Sequence, residues 1–139
     1  QFSLIKSTML KISPSICYEI AYPGLINKSA GNSNILVTIS NDTWFGSSIG
    51  PEQHLQLAKD RVLEHQKPLL RSTNSGISAI IDHRGNILGK QEYFEEKTLK
   101  GRVVLQEGNT PYNHLGNSIL YFYISIMMVV SLLIKRNKV

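Results

Sequence analysis

An α/β fold with a single apolar helix at its end is what this 139-residue chain predicts. Three observations carry that expectation. Residues Ile35 to Ser40 form an unbroken apolar run between turn residues, the pattern of a strand buried inside a layered sheet. Residues Glu52 to Lys67 lie between Pro51 and Pro68 and repeat their apolar positions at helical spacing. Residues Leu115 to Ile134 contain no charge at all.

The elements follow in chain order. Leu10 to Ile16 is short, apolar and β-branched, broken by Pro14, and reads as a strand end that delivers Cys17. Pro23-Gly24 marks a turn, and a helix is expected over Leu25 to Ala30, stopped by Gly31-Asn32-Ser33-Asn34. After the strand Ile35–Ser40, the polar stretch Asn41 to Pro51 is a loop carrying Trp44 and Phe45. In the helix Glu52 to Lys67, Leu55, Ala58, Val62 and His65 share one face. Leu69 to Gly76 returns as an extended segment and turn. Ile77 to Asp82 and Asn86 to Lys90 flank His83-Arg84-Gly85, which is a hairpin signal. Val103 to Leu105 reads as one more short strand.

The last segment differs in kind. Twenty helical residues without charge cover roughly 30 Å, the thickness of a hydrocarbon core. Tyr112, Tyr121 and Tyr123 gather toward its start, as interfacial aromatics do, and Lys135, Arg136 and Lys138 follow it. The expectation is a membrane-spanning helix with a cytoplasmic C-terminus.

Composition excludes several function classes. The net charge of +5 comes without a basic stripe or an aromatic platform, so no nucleic acid is expected as partner. The single cysteine excludes an intrachain disulfide. His54, His65, His83 and His114 do not fall at metal-ligand spacing, and neither HExxH nor CxxC occurs, so no metal or other cofactor is expected. Residues Gln1 to Lys11 lack the pattern of a signal peptide, and the chain does not begin with Met. It reads as a segment of something longer, or as a gene fragment.

The chemistry centres on Cys17. A residue at the end of an apolar strand, just before a turn, points out of the sheet edge beside free backbone N–H groups. Such groups favour a thiolate and can bind an oxyanion, and a thiolate nucleophile suits acyl transfer through a thioester. Glu19, two residues on, is placed to orient a base or a cation, or else to be a solvated loop carboxylate. Spacing does not choose among the four histidines as a partner for the thiol.

Ser13-Pro14-Ser15-Ile16-Cys17-Tyr18-Glu19 resembles the nucleophile strand of the nitrilase (carbon–nitrogen hydrolase) superfamily. Asn41-Asp42-Thr43-Trp44-Phe45-Gly46, Gly50-Pro51-Glu52-Gln53-His54-Leu55-Gln56 and Arg71-Ser72-Thr73-Asn74-Ser75-Gly76 are similar to stretches of its apolipoprotein N-acyltransferase branch. A charge-free helix directly after the domain is also a feature of that branch. The likeness runs from Ile12 to Ile134. It implies the C-terminal part of a nitrilase-like four-layer α-β-β-α sandwich over residues 1–111. Residues 112–139 are then a transmembrane helix with a short basic tail.

The same resemblance implies a Glu–Lys–Cys triad whose cysteine is Cys17. The family's glutamate and lysine lie further upstream than the sixteen residues that precede Cys17, so this chain is expected to lack them and to be inactive alone. Tyr18 and Glu19 match positions beside the nucleophile that contribute to activity, and Trp44 matches a tryptophan in the loop bordering the site, where it either contacts substrate or anchors the loop on the domain. The implied partners are a membrane phospholipid as acyl donor, an apolipoprotein as acyl acceptor, and a separate upstream polypeptide supplying the missing half. The implied location is the bacterial inner membrane, with the domain on the periplasmic side. A nitrilase-type amidase and an inactive remnant are the alternative readings.

Overall fold

The computed structural model describes residues 5–6, 9–94 and 97–136. Six strands form one mixed sheet in sequence order: β1 (Ile5–Lys6), β2 (Lys11–Ile16), β3 (Ile35–Ser40), β4 (Leu69–Thr73), β5 (Ser78–Ile81) and β6 (Ile87–Gln91). β2, β3 and β4 are parallel, while β1, β5 and β6 pair antiparallel with their neighbours. Parallel neighbours need a crossover, and helices provide both of them. These are α1 (Pro23–Ala30) between β2 and β3, and α2 (Gly50–His65) between β3 and β4.

Register sorts the side chains into two faces. Ser13, Leu36, Leu69 and Ile81 form one cross-strand row, and Ser15, Thr38, Arg71 and Ala79 form the next. This face meets the helices. Leu36, Leu69 and Ile81 pack with Ile20, Ile26, Ala30, Leu55, Ala58 and Val62 into one core. Burying an aliphatic side chain of this size contributes about 2 kcal/mol. The opposite face carries Pro14, Val37, Leu70 and Ile80 in one row and Ile16 and Ile39 in another. Ile16, Ile39 and Leu70 are exposed there. Residues 97–101 run across part of this face and leave a groove of about 570 Å³ beside Val37, Leu70 and Ile80.

Several expected elements shift for identifiable reasons. β2 is not broken at Pro14, which lies in register with Val37. α1 begins at Pro23 instead of Leu25, because a proline in the first turn needs no N–H acceptor. α2 spans Gly50–His65 and stops at Gln66, which takes a left-handed φ of 51°. The hairpin β5–β6 forms as expected. Asp82 accepts from the N–H groups of Arg84 and Asn86, and Gly85 turns with φ 81°.

Val103 to Leu105 does not form a strand. A backbone bond and the Lys67 side chain hold this strap in place of a ladder. Gln106 N–H donates to the Asn34 carbonyl, and the buried Lys67 donates from Nζ to the carbonyls of Gln106 and Gly108. The strap leads to α3 (Pro111–Leu115), which is capped by Thr110 and docked on both crossover helices. Thr110 Oγ1 donates to the Glu64 carbonyl at 2.6 Å. Asn113 Nδ2 donates to Asn27 Oδ1 at 3.1 Å and to His65 Nδ1 at 2.8 Å. The Tyr112 ring lies edge-on to His65. After Gly116, α4 (Ser118–Arg136) runs for 19 residues, with the side chains of Ser118–Lys135 exposed; of the three basic residues expected to follow it, Lys138 lies outside the described residues. By length and composition α4 can cross a membrane.

Candidate active site

The C-terminal ends of β2, β3 and β4 lie at one edge of the sheet, because the three strands are parallel and in register. That edge is where an open α/β sheet ordinarily binds its ligands. Three loops leave from it, and they carry Cys17, the stretch Asn41 to Gly46, and the stretch Asn74 to Gly76. Segments far apart in sequence are joined there by hydrogen bonds. Asn74 Nδ2 donates to Asn41 Oδ1 at 2.9 Å and to Thr43 Oγ1 at 3.2 Å, and its Oδ1 accepts from Asp42 N–H. Thr43 and Ser75 hydroxyls bond at 2.9 Å.

Cys17 is the first residue past β2 and opens the 3₁₀ turn Cys17–Ala21. Its φ is 52°, in the left-handed region that a residue with a Cβ rarely enters. This strained strand-to-turn bend lifts the thiol out of the sheet, as a nucleophile elbow does. Cys17 is partly accessible and in no disulfide. Glu19 bends back onto the same turn, and its Oε2 accepts from the Ile16 N–H at 2.8 Å. In this arrangement the Glu19 carboxylate braces the elbow.

Tyr18 is half exposed. Its ring is perpendicular to Tyr22 at 6.0 Å and tilted against His54 at 5.6 Å. Trp44 stands at the tip of the turn Thr43–Phe45 and is 87% exposed. With Asn41 and Thr43 it borders a shallow recess of about 260 Å³. A side chain this apolar and this open is suited to meet another surface.

Beneath the edge lies a group that sequence reasoning did not assemble. Asp42, His54 and Arg71 are all buried, and both His54 and Arg71 converge on the Asp42 carboxylate. Arg71 Nη2 donates to Asp42 Oδ2 at 2.6 Å, and Ser40 Oγ donates to Asp42 Oδ1 at 2.5 Å. His54 Nδ1 lies 3.1 Å from Asp42 Oδ1 and 3.1 Å from Arg71 Nη2. Phe45 packs edge-on to the other side of the His54 ring. Gly76 makes the group possible, since a Cβ there would overlap the Asp42 carboxylate.

Burial pushes the Asp42 carboxyl up, but the bonds from His54 and Ser40 and the charge of Arg71 together hold it below the usual carboxylate range. For Arg71, burial lowers the guanidinium from its ordinary value. The negative charges of Asp42 and of Cys17 work against that lowering. Of the four histidines, His54 is the one in ring contact with the residue next to Cys17. His65 belongs to the joint with α3, where burial lowers its imidazole to about 4. His83 sits in the hairpin turn and His114 in α3. Asn41, Asp42, His54, Arg71, Asn74 and Gly76 all fall within the stretches singled out in the sequence. Their mutual bonds span up to 33 residues and leave no local pattern to read. Among the described residues no cluster of three or more His, Cys, Asp or Glu is placed to hold a metal.

Known proteins agree with this architecture. An apolipoprotein N-acyltransferase of Photobacterium profundum is 41% identical over 135 residues, covering 96% of this chain and 26% of its own length. Another from Haemophilus influenzae is 48% identical over 110 residues, covering 78% and 21%. The chain thus spans about a quarter of the length of these curated relatives. Among solved structures, a Saccharomyces cerevisiae member of branch 10 of the nitrilase superfamily superposes with a TM-score of 0.59 at 23% identity. That match covers 69% of this chain and 38% of the other. A carbon–nitrogen hydrolase from Helicobacter pylori superposes with a TM-score of 0.61 at 16% identity, covering 68% and 41%. The carbon–nitrogen hydrolase family profile matches residues 1–110. By that match over most of its length, and with a cysteine on a strained elbow at the C-terminal edge of a nitrilase-type sheet, the chain belongs to the carbon–nitrogen hydrolase family.

Proposed function

We propose that this chain serves an apolipoprotein N-acyltransferase, with Cys17 as the residue that carries the acyl group. The observation that carries the reading is the left-handed elbow at Cys17, the only cysteine in the sequence. The relatives that bear the acyltransferase name support the choice among carbon–nitrogen hydrolase chemistries. α4 supports it too, because a nearby apolar helix suits lipid-bound substrates and has no use in hydrolysing a small soluble amide.

The thiolate attacks an ester carbonyl of a membrane phospholipid. A C–O bond breaks, a thioester forms, and the lysophospholipid leaves with a proton. The α-amino group of the diacylglyceryl cysteine at the apolipoprotein N-terminus then attacks the thioester. An amide forms, and the thiol is released. Tyr18 forms one wall beside the thiol, Glu19 holds the elbow closed, and Trp44 meets the acyl chain or the bilayer surface. A glutamate base and a lysine on a polypeptide segment upstream of Cys17 complete the triad. The domain stands on the periplasmic face of the inner membrane, and α4 crosses with its C-terminus in the cytoplasm.

Mass spectrometry after reconstitution in phospholipid vesicles tests the chemistry. With the upstream segment supplied, an acyl adduct on the peptide containing Cys17 is expected, and it should be absent from Cys17→Ala. An adduct that persists in Cys17→Ala would show that another residue is the nucleophile. An adduct on the isolated chain would remove the need for the upstream segment. Reporter fusions after Val139 test topology, and a signal from a periplasm-only reporter would reverse it.

A further inference from the structure

The two rims of the site leave the sheet from different strands, and one side chain touches both. Cys17 and Tyr18 follow β2, whereas Trp44 and Phe45 belong to the turn after β3. The His54 ring, in the second turn of α2, lies 5.6 Å from the Tyr18 ring and 5.6 Å from the Phe45 ring. His54 is buried, and its Nδ1 lies 3.1 Å from Asp42 Oδ1. Asp42 also begins the Trp44 turn, because its carbonyl accepts from Phe45 N–H at 3.1 Å. Gly50 seats Phe45 from below. A Cβ on Gly50 would overlap the Phe45 ring and come within 2.8 Å of Phe45 Cβ, so rotating the ring would not clear it. The Trp44 turn is thus fixed on the first two turns of α2, and the His54 ring carries that contact on to the residue after Cys17. His54 Nε2 is buried without a hydrogen-bond partner, a cost that an apolar ring of the same size would avoid. What the imidazole adds is a ring whose direction Asp42 fixes through Nδ1.

We infer that His54 is a positioning residue that ties the Trp44 turn to the Cys17 elbow: its ring sets where Phe45 stands relative to Tyr18. The inference rests on Cys17 being the nucleophile and on Trp44 meeting lipid, as proposed above, and it deepens that reading. A shift of Trp44 on meeting an acyl chain or a bilayer surface reaches the elbow through Phe45, His54 and Tyr18, three side chains in contact. Such coupling has a signature that simple loosening of the fold lacks. Two substitutions along the row of contacts act non-additively, and the second does nothing once the first has broken the row.

Gly50→Ala perturbs the far end of that row. Alanine favours a helix over glycine, so α2 itself is not weakened, but the new Cβ displaces Phe45. The sequence has one cysteine, so the rate of alkylation by iodoacetamide in detergent micelles at fixed pH reads the elbow alone. Gly50→Ala should change that rate at least about twofold in either direction, the lower end of coupling between residues in contact. His54→Asn places an amide atom where Nδ1 lies and removes the rest of the ring. It keeps the contact with Asp42 and breaks those with Tyr18 and Phe45. In that background Gly50→Ala should have no further effect on the rate. His54→Phe keeps a ring, and there the effect of Gly50→Ala should return. Tyr18→Leu breaks the row on its other side and should also silence Gly50→Ala, which keeps the test available if a His54 variant does not fold. Urea unfolding establishes that each variant is folded. A wild-type rate in folded Gly50→Ala would overturn the proposal, as would an equal effect of Gly50→Ala with and without the His54 or Tyr18 ring. Alkylation asks nothing of acyl transfer. Failure here leaves the acyl-carrier reading standing, and failure to find an acyl adduct leaves this result interpretable.

Discussion

Acidification should open the joint between α2 and α3 before it affects the rest of the domain. His65 is buried against Tyr112, and Asn113 Nδ2 donates to its Nδ1. Burial lowers its imidazole from 6.5 to about 4, which the bond from Asn113 only partly opposes. In the unfolded chain the same imidazole takes a proton near 6.5, so between 6.5 and 4 the unfolded state binds more protons. Stability from a neutral His65 is therefore complete above pH 6.5 and lost as pH falls toward 4. The full loss is about 3 kcal/mol, and by pH 4.5 roughly 2 to 3 kcal/mol of it has gone. Glu64 works in the opposite direction, because burial raises its carboxyl. The informative quantity is thus the difference between the wild type and His65→Gln, which keeps an acceptor for Asn113 but cannot titrate. Urea unfolding in detergent micelles from pH 7.5 to 4.5 provides both curves. The wild type should lose stability faster than His65→Gln below pH 6.5. Parallel curves across that window would refute the buried, neutral His65.

Three further outcomes follow from the geometry. Gly76→Ala should cost at least about 3 kcal/mol, because its Cβ displaces the Asp42 carboxylate and leaves Arg71 buried without its partner; a drop in thermal midpoint of only a degree or two would contradict this. Cys17→Gly should be more stable than Cys17→Ala by about 1 kcal/mol, since only glycine adopts a φ of 52° without strain, and equal denaturation midpoints would show that the elbow is relaxed. Leu69→Ala should cost about 2 to 5 kcal/mol, because Leu69 is fully buried at the centre of the helix-facing row, and calorimetry would expose a smaller value.

The strands and helices that could be read from the sequence are those whose cause is local. β3 is legible as a strand, but its unbroken apolar run reads as burial on both faces, whereas the helices cover one face and Ile39 on the other is 62% exposed. α2 is legible because Pro51 and Pro68 bracket it, and the hairpin because Asp82 and Gly85 make their turn within four residues. Cys17 is legible as the residue where an apolar strand ends. The misreading at Val103 to Leu105 has the opposite cause. Its apolar, β-branched residues suit a strand, but the acceptors and donors that fix the strap belong to Lys67 and Asn34, about 40 and 70 residues earlier. The buried trio escaped notice for the same reason. Asp42, His54 and Arg71 each look like ordinary polar loop or helix residues, and only the parallel register of β3 and β4 brings them together.

The docking of α3 turns the C-terminal helix into a lever. Thr110 and Asn113 tie α3 to α1 and α2, so α3 moves with the sheet. The turn resumes in α4 only after Gly116, whose φ of 51° ends α3, and Asn117, whose carbonyl accepts from Tyr121. Two residues, with the Tyr112 hydroxyl donating to Asn117 Oδ1 across them, therefore join the domain to a rod of 19 residues, roughly 28 Å long. A rotation of roughly 10° at that pivot sweeps the far end of the rod through roughly 5 Å. Clamping the far end reverses the relation. Small twists at Gly116 then swing the whole sheet, and the edge bearing Cys17 rises or falls as one rigid plate.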